Sequence, residues 1–130
     1  MKWLFGLVLT LVLLPSVSYA EWVHTFTAND GTLAYILHES KTILRDGIIQ
    51  AWTKNDTRKS TDPSLKNILD EKRLMQYNCI TKQFRVLDML VTYKDNTTKV
   101  YNPAPTSWYY IVPDTLSEAE YVYLCGRNLF

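Results

Sequence analysis

Cysteine, histidine and carboxylate side chains are the groups in this 130-residue sequence that could carry out chemistry. The two cysteines, Cys79 and Cys125, lie far apart and lack the closely spaced ligand pairs of a zinc site. A cysteine in a disulfide has no thiolate with which to attack a substrate. Because the N-terminus indicates export, we predict that the two cysteines are bridged, with two buried free thiols as the alternative.

Both histidines, His24 and His38, fall in a segment that we predict to be a β-hairpin. Two imidazoles on neighbouring strands can begin a metal site, but the sequence offers no evident third or fourth ligand. We therefore predict ordinary strand histidines, with no metal ion and no other cofactor.

Two pairs of nearby carboxylates are the remaining candidates for catalysis: Asp70 with Glu71, and Glu118 with Glu120. Neither pair is aimed at one substrate atom, because neighbouring side chains point apart. Glycosidase chemistry would need two acids that face each other across a cleft. We interpret all four as solvated surface acids. The sequence also has no G-x-S-x-G motif and no glycine-rich phosphate loop. We therefore predict that the protein is not an enzyme, with a small hydrolase as the less favoured alternative.

Aromatic side chains crowd the last quarter of the chain and indicate a protein-binding surface. Trp108, Tyr109 and Tyr110 are the first candidates, because these residue types bury much area with few rotatable bonds. Tyr109 and Tyr110 cannot both face inward on an extended segment, so one should be exposed. The alternative for Trp108 and Tyr123 is that they fill space between this segment, the last helix and the sheet.

Basic residues in a polar connection form a second candidate surface: Arg58, Lys59 and Lys66. Clustered charge in a loop is usually only solvated, and that is the alternative here. We predict a protein partner for the aromatic surface, the basic surface or both.

Residues 1–20 are typical of an export signal. Lys2 precedes an apolar run that ends before Pro15, and Ser18 and Ala20 place small residues where a signal peptidase cleaves. The run is shorter than the ~20 residues that span a bilayer, so we predict no transmembrane segment in the mature chain. The expected organisation is a signal peptide at 1–20 and a single domain at 21–130, periplasmic or secreted. Without Lys2, basic and acidic residues are equal in number, which does not favour nucleic acid.

The mature chain begins with patterns typical of antiparallel strands. Residues 22–27 and 32–37 flank an Asp-Gly turn, and a second Asp-Gly turn precedes residues 48–54. Their connections are too short for parallel crossovers. Further strands are predicted at 72–80, 83–94 and 99–101, with a bulge near Asp88 where the apolar alternation changes phase.

The rest of the chain is predicted to be less regular until its end. Asp62-Pro63 predicts a short helix through residue 69 inside a long exposed connection. Prolines at 103, 105 and 113 predict an extended strap rather than a central strand. A capping box at 115–118 predicts a helix over 116–125 that ends at Gly126. Its expected apolar face contains Leu116, Ala119, Val122 and Tyr123.

These elements together predict the fold class α+β. We expect an antiparallel sheet of about six strands, with a C-terminal helix tethered to one face by a Cys79–Cys125 disulfide. A helix of this length is marginal on its own, so the tether and its packing must hold it in place.

Four stretches of the sequence resemble the surface-adhesin E family: ILRDGIIQAW, YNCITKQFRVL, SWYYIVP and a closing helix that contains YLC. Their order, their spacing and the two-cysteine layout match the family from Trp22 to Cys125. The resemblance implies an antiparallel sheet with a helix tethered by a disulfide to its concave face. It also implies an adhesin-like binding module that contacts host extracellular-matrix or serum proteins.

The sequence departs from the family at two points. His38 and Glu39 precede the ILR segment, where family members often have an aspartate. The adhesin that names the family is lipid-anchored, whereas no acceptor cysteine follows the predicted cleavage site here. Surface display therefore does not carry over with the resemblance. A periplasmic accessory or envelope protein without an adhesive role is the alternative function.

Overall fold

The structure is a computed structural model in which residues 21–102 and 107–126 are described. The predicted signal peptide at 1–20, part of the proline-containing strap and residues 127–130 lie outside the described residues. The described elements are β1 (Trp22–Thr27), β2 (Leu33–Leu37), β3 (Thr42–Ile43), β4 (Ile48–Asp56), β5 (Ile68–Asn78), β6 (Gln83–Tyr93), β7 (Thr98–Tyr101), β8 (Tyr109–Tyr110) and the helix α1 (Leu116–Cys125).

One antiparallel sheet contains all eight strands of the described residues. Six of them follow the spatial order β1-β2-β4-β5-β6-β7, and the two-residue strands β3 and β8 pair with β4 and β6. Together with α1, this sheet confirms the predicted α+β class and the six main strands.

The first hairpin depends on its Asp-Gly turn. The Asp30 carboxylate accepts hydrogen bonds from the backbone N–H and the hydroxyl of Thr32, both at 3.0 Å. Gly31 has φ +94°, and a Cβ there would lie 2.4 Å from the carbonyl oxygen of Lys59. Only glycine satisfies both the left-handed backbone and that close approach.

Strict alternation along the central strands defines the two faces of the sheet. Ile49 and Ala51 of β4 and Met75 and Tyr77 of β5 are buried on the side that α1 covers, which we call the helix face. The opposite side is called the outer face. The core on the helix face consists of Ile36, Ile49, Ala51, Met75, Tyr77, Cys79, Ile111, Tyr121 and Leu124.

The predicted bulge near Asp88 is present. Leu74 pairs with Asp88 and Met75 pairs with Val86, so Leu87 has no partner across the ladder. The extra residue shifts the alternation of β6 by one position, which keeps apolar side chains on the helix face on both sides of it.

The connection before β5 is shorter than the sequence predicts. A single 3₁₀ turn covers Pro63–Leu65, with the Asp62 side chain accepting from the Ser64 N–H, and β5 begins at Ile68. The predicted helix through residue 69 is therefore wrong. Ladder pairing on both sides of residues 70–71, with β4 and with β6, outweighs a weak local helix signal.

The caps of α1 follow the prediction, but its buried face does not. Thr115 accepts from the Glu118 N–H, and Gly126 ends the helix in the left-handed region with φ +65°. The Glu118 carboxylate accepts from the Asp114 N–H, one residue earlier than a capping box requires.

The residues that α1 buries most deeply are Glu120, Tyr121 and Leu124, whereas the predicted face remains half-buried. The most deeply buried face of α1 therefore differs from the predicted one, although Val122 and Tyr123 of the predicted face do pack against the core. The tether at Cys125 fixes the rotation of the helix, and two buried polar contacts of Glu120 and Tyr121 then outweigh its weak apolar stripe.

The predicted disulfide joins Cys79 to Cys125, with a Cα–Cα distance of 5.6 Å. Beside it, the Tyr121 hydroxyl donates a 3.0 Å hydrogen bond to the carbonyl oxygen of Cys79. One covalent bond and one hydrogen bond therefore fix the end of α1 to the end of β5.

Glu120 is fully buried, so its interpretation as a solvated surface acid is wrong. Its carboxyl accepts a short hydrogen bond from the Tyr77 hydroxyl beneath the helix. Burial raises the pKa of Glu120 to about 7, against the opposing effects of the Tyr77 hydrogen bond and the Arg73 charge. Burial, together with the nearby Glu120 carboxyl, also raises the pKa of Tyr77 well above its ordinary value.

Replacing both cysteines with serine should lower the free energy of unfolding by about 4 kcal/mol, because the bond closes a long loop of the unfolded chain. The cysteines are separated by 46 residues. Urea unfolding of Cys79→Ser/Cys125→Ser measures the loss, and reductant should destabilise the wild type by a similar amount without affecting the variant. Equal unfolding midpoints for the oxidised wild type and the variant would contradict the structural role of the bond.

Glu120→Gln should stabilise the protein near neutral pH. The folded-state pKa of about 7 exceeds the ordinary 4.5. Protonation of Glu120 therefore favours the folded state. Its stabilising contribution is complete at pH values below 4.5 and is lost as the pH rises through about 7. The loss corresponds to about 3 kcal/mol. Urea unfolding at about pH 4.5 and about pH 8 measures it, with exposed Glu39→Gln as the charge-matched control. Parallel pH profiles for the wild type and Glu120→Gln would contradict this assignment.

Candidate functional site

The predicted binding residues lie at opposite ends of the sheet. Tyr109 and Tyr110 pair with the start of β6, beside the Ile48–Asn78 row of β4 and β5. Arg58 and Lys59 follow Asp56, which pairs with Asp70 at the far end of the same ladder. Eight residues of strand separate these two rows, which corresponds to about 26 Å. The aromatic and the basic residues predicted from the sequence therefore form two separate surfaces and not one composite site.

Trp108 lies on the outer face, away from α1. Its ring packs beneath the Arg85 guanidinium, whose central carbon is 4.5 Å from the ring centroid. Arg85 Nε donates to Gln76 at 2.7 Å, and Gln76 in turn donates to Gln50 at 2.9 Å. Trp108 therefore covers the edge of a polar row across three strands, and it does not fill space under the helix.

Tyr109 and Tyr110 point to opposite faces, and both are exposed. Tyr109 continues an aromatic row on the helix face, with its ring 5.9 Å from that of Phe84, which is 6.0 Å from the ring of Tyr77. Tyr110 is 74% exposed beside Gln83. We expected one of the two tyrosines to be exposed, and both Tyr109 and Tyr110 are.

Further apolar side chains surround the tyrosines, and they are not among the binding residues predicted from the sequence. The turn at 78–82 lies between residues 43–48 and residues 109–112, joined by backbone hydrogen bonds from Cys79 to Gly47 and from Ile111 to Lys82. The side chain of Ile80 lies directly over Gly47. We call the exposed apolar side chains of these segments the apolar rim: Ile43, Leu44, Ile80, Tyr109, Tyr110 and Val112.

Turn positions could have revealed the rim. Ile80 directly precedes the predicted Thr81-Lys82 turn, and Val112 directly precedes Pro113. Large apolar residues are unusual where the backbone turns through solvent, and a group of them marks an interaction surface more strongly than a scattered few.

The basic residues form a less favourable contact surface. Arg58 is bound to Asp56 through a 2.6 Å ion pair, and the hydrogen bond from Arg58 is the main reason that the pKa of Asp56 is lowered. Lys59 and Lys66 are exposed in the following loop. With Arg58 engaged by its own neighbour, the field of this surface comes mainly from the two lysines.

Tyr123 and the histidines have structural contacts. Tyr123 packs against the core, and its hydroxyl lies 3.0 Å from Nδ1 of His38, which belongs to a 3₁₀ turn after β2. His24 is paired with Tyr35 across the first hairpin. Within residues 21–102 and 107–126, no three His, Cys, Asp or Glu side chains come together in a way that could hold a metal ion.

A polar cleft of about 570 Å³ opens on the helix face beyond the N-terminus of α1. Phe26, Leu65 and Leu116 contribute apolar walls. Asn55 and Glu71, directly opposite each other on β4 and β5, line it together with Arg73. The Arg73 guanidinium donates to the Glu71 carboxylate at 2.5 Å. We call this region the polar cleft; no pattern in the sequence predicted it.

Of the helices in the described ranges, none combines the length and the apolar character that a membrane crossing requires.

Comparisons with known proteins agree with this architecture. A solved structure of protein E from Haemophilus influenzae matches the chain with a TM-score of 0.58 and 12% sequence identity. The match covers 86% of this chain and 92% of that one. At this identity the likeness shows a shared fold. No curated protein sequence matches the chain.

The model of one protein family, surface-adhesin protein E, matches residues 22–126. That range contains every strand and the helix described above, together with both cysteines. The chain therefore belongs to the surface-adhesin protein E family.

Proposed function

We propose that this protein is an exported binding module that contacts a protein partner through its apolar rim. The observation that carries the proposal is the exposure of the six rim side chains, which ranges from 37% to 74%. A small domain gains no stability from leaving this area in water, whereas an interface would bury it.

The composition of the rim suits protein recognition. Tyrosines are enriched at the buried centres of protein interfaces, which are more apolar than their polar surround. Trp108 with Arg85 on the outer face supplies part of such a surround. Following the family, the partner that we propose is a host extracellular-matrix or serum protein, and adhesin membership favours binding over catalysis.

The basic surface of Arg58, Lys59 and Lys66 is the second candidate contact. Exposed charges act mainly on the rate of association and on its salt dependence. A periplasmic or envelope partner without an adhesive role is the alternative to a host protein.

Tyr110→Ser with Ile80→Ser should weaken binding to the proposed partner roughly thirtyfold, because two strongly exposed apolar side chains of the rim would be lost. Surface plasmon resonance with immobilised, purified matrix and serum glycoproteins measures the dissociation constants. The thermal midpoint should hardly change, since both side chains are exposed.

The matched control for the rim variant is Lys59→Ser with Lys66→Ser at the other end of the sheet. It should change affinity little and reduce the salt dependence of association. If the control loses affinity and the rim variant retains it, the contact lies on the basic surface and the rim proposal is wrong.

A photo-crosslinking residue at position 110 should capture a host protein when intact cells are exposed to matrix and serum proteins. Cell fractionation, run in parallel, should place the mature protein where external protease can reach it. Confinement to the periplasm, with crosslinks only to envelope proteins, would contradict the host-binding proposal and support the accessory role.

A further inference from the structure

The two halves of α1 are held to the sheet by different interactions. In the second half, residues 121–125, Tyr121 and Leu124 are buried in the core and Cys125 is bonded to Cys79. In the first half, residues 116–120, Glu120 is the only buried residue. Apolar packing and a covalent bond therefore fix the second half, whereas a polar contact is the main attachment of the first.

The groups that act on the Glu120 carboxyl come from β5. The Tyr77 hydroxyl donates to it, and the nearby charge is that of Arg73, whose guanidinium is already bound to the Glu71 carboxylate. The other elements packed against α1 face it with uncharged side chains. These are Thr25 and Phe26 of β1 and the apolar core residues of β2, β4 and β6. An ionised Glu120 therefore has no cation of its own beneath the helix.

The free energy of this contact depends on pH. Burial outweighs the Tyr77 hydrogen bond and the Arg73 charge and raises the pKa of Glu120 from 4.5 to about 7. The protonated carboxyl therefore favours the packed position of the helix. This contribution is complete below 4.5 and is lost as the pH rises through about 7, because a carboxyl that has moved into water ionises freely.

The first half of α1 borders two cavities. A groove of about 600 Å³ lies between the helix and β1, where Phe26 and Ala119 are among its lining residues. On the other side, Leu116 forms a wall of the polar cleft. Within the described residues, this half can therefore move outward without displacing a packed layer.

We propose that residues 116–120 form a pH-controlled lid on the helix face, which pivots on the second half of α1 and is held closed by the contact between Glu120 and Tyr77. The lid stays closed in acid and opens increasingly as the pH rises above neutral. Opening exposes Tyr77 and Met75 and joins the groove to the polar cleft. This is a local opening, since the disulfide and the buried Tyr121 and Leu124 keep the second half in place.

The lid is separate from the apolar rim. Ile80 of the rim follows Cys79, so the rim lies beside the fixed end of α1 and not beside its moving end. The inference therefore does not depend on the proposed function. Tyr110→Ser with Ile80→Ser should leave the pH dependence of the lid unchanged.

The initial rate at which hydrogen peroxide oxidises Met75 in the full mature protein measures lid opening. Met75 is 2% exposed in the core, so its thioether becomes reactive when the lid opens. The rate should rise roughly fiftyfold between about pH 5 and about pH 8, because Glu120 titrates near 4.5 in the open state and near 7 in the closed one. Mass spectrometry of peptides separates Met75 from Met89. Met89, half-buried on β6, is the internal reference and should oxidise equally at both pH values.

Two variants test the role of Glu120. Glu120→Gln stays neutral and keeps an acceptor for the Tyr77 hydroxyl, so Met75 should oxidise slowly at both pH values. Glu39→Gln removes a charge from an exposed position, and it should keep the pH profile of the wild type.

Urea distinguishes local opening from unfolding of the whole domain. A lid exposes little surface, so about 1 M urea should hardly change the oxidation rate of Met75 at about pH 8. Exposure through global unfolding would make the rate rise steeply with urea, in step with the global unfolding equilibrium.

Three results would overturn the proposal. A flat pH profile in the wild type would mean that Glu120 does not control exposure of the core. An equal rise in Glu120→Gln would assign the pH dependence to another group. A steep dependence on urea would show that Met75 is reached by global unfolding and that the first half of α1 is not a lid.

Discussion

The disulfide between Cys79 and Cys125 is the constraint on which the rest of the structure depends. An isolated helix of ten residues is marginal in water, and the apolar stripe of α1 is weak. Once the bond fixes Cys125 at the end of β5, Tyr121 and Glu120 reach their partners Cys79 and Tyr77 under the helix. The rotation of α1 therefore follows from the tether and not from its own pattern.

The length of α1 also decides where the core ends. The helix covers the rows of Tyr77 and Met75, where the helix face is apolar, and its N-terminus lies beside the polar cleft. Two and four residues before Met75 in β5, the same face carries Arg73 and Glu71. The alternation of the strand continues without interruption, but the type of inward side chain changes from apolar to polar. One sheet face thus carries a core and a cleft side by side.

The sequence predicted the frame of the molecule well, because its signals are local. The Asp-Gly turns, the phase change near Asp88 and the Thr115 and Gly126 caps each depend on a few neighbouring residues, and each is found where it was predicted. The predictions that were wrong depended on which elements pack against a segment, and its own residues do not show this. Residues 68–71 form a strand only because β4 and β6 flank them.

The same reason explains the candidate sites. Tyr109 and Tyr110 could be proposed from their residue type, but Ile80 belongs to the same surface only through the packing of three turns. Asn55 and Arg73 are ordinary polar residues in the sequence, and their missing partners are visible only in the folded protein. Sequence patterns therefore identify elements and single residues, whereas a shared surface is a property of the register between distant strands.

Buried polar groups that destabilise a small domain need a compensating source of stability. An unpartnered buried donor or acceptor costs about 1–3 kcal/mol, and the ionisation of a buried carboxyl adds to this near neutral pH. A bond that closes a loop of 46 residues supplies stabilisation of the same order without requiring any apolar area. The disulfide can therefore offset polar atoms that packing alone would not tolerate. In a domain whose stability came only from its core, we would expect apolar residues at the positions of Asn55 and Glu120. The stabilisation that the disulfide supplies therefore helps to explain why this small domain tolerates buried polar groups.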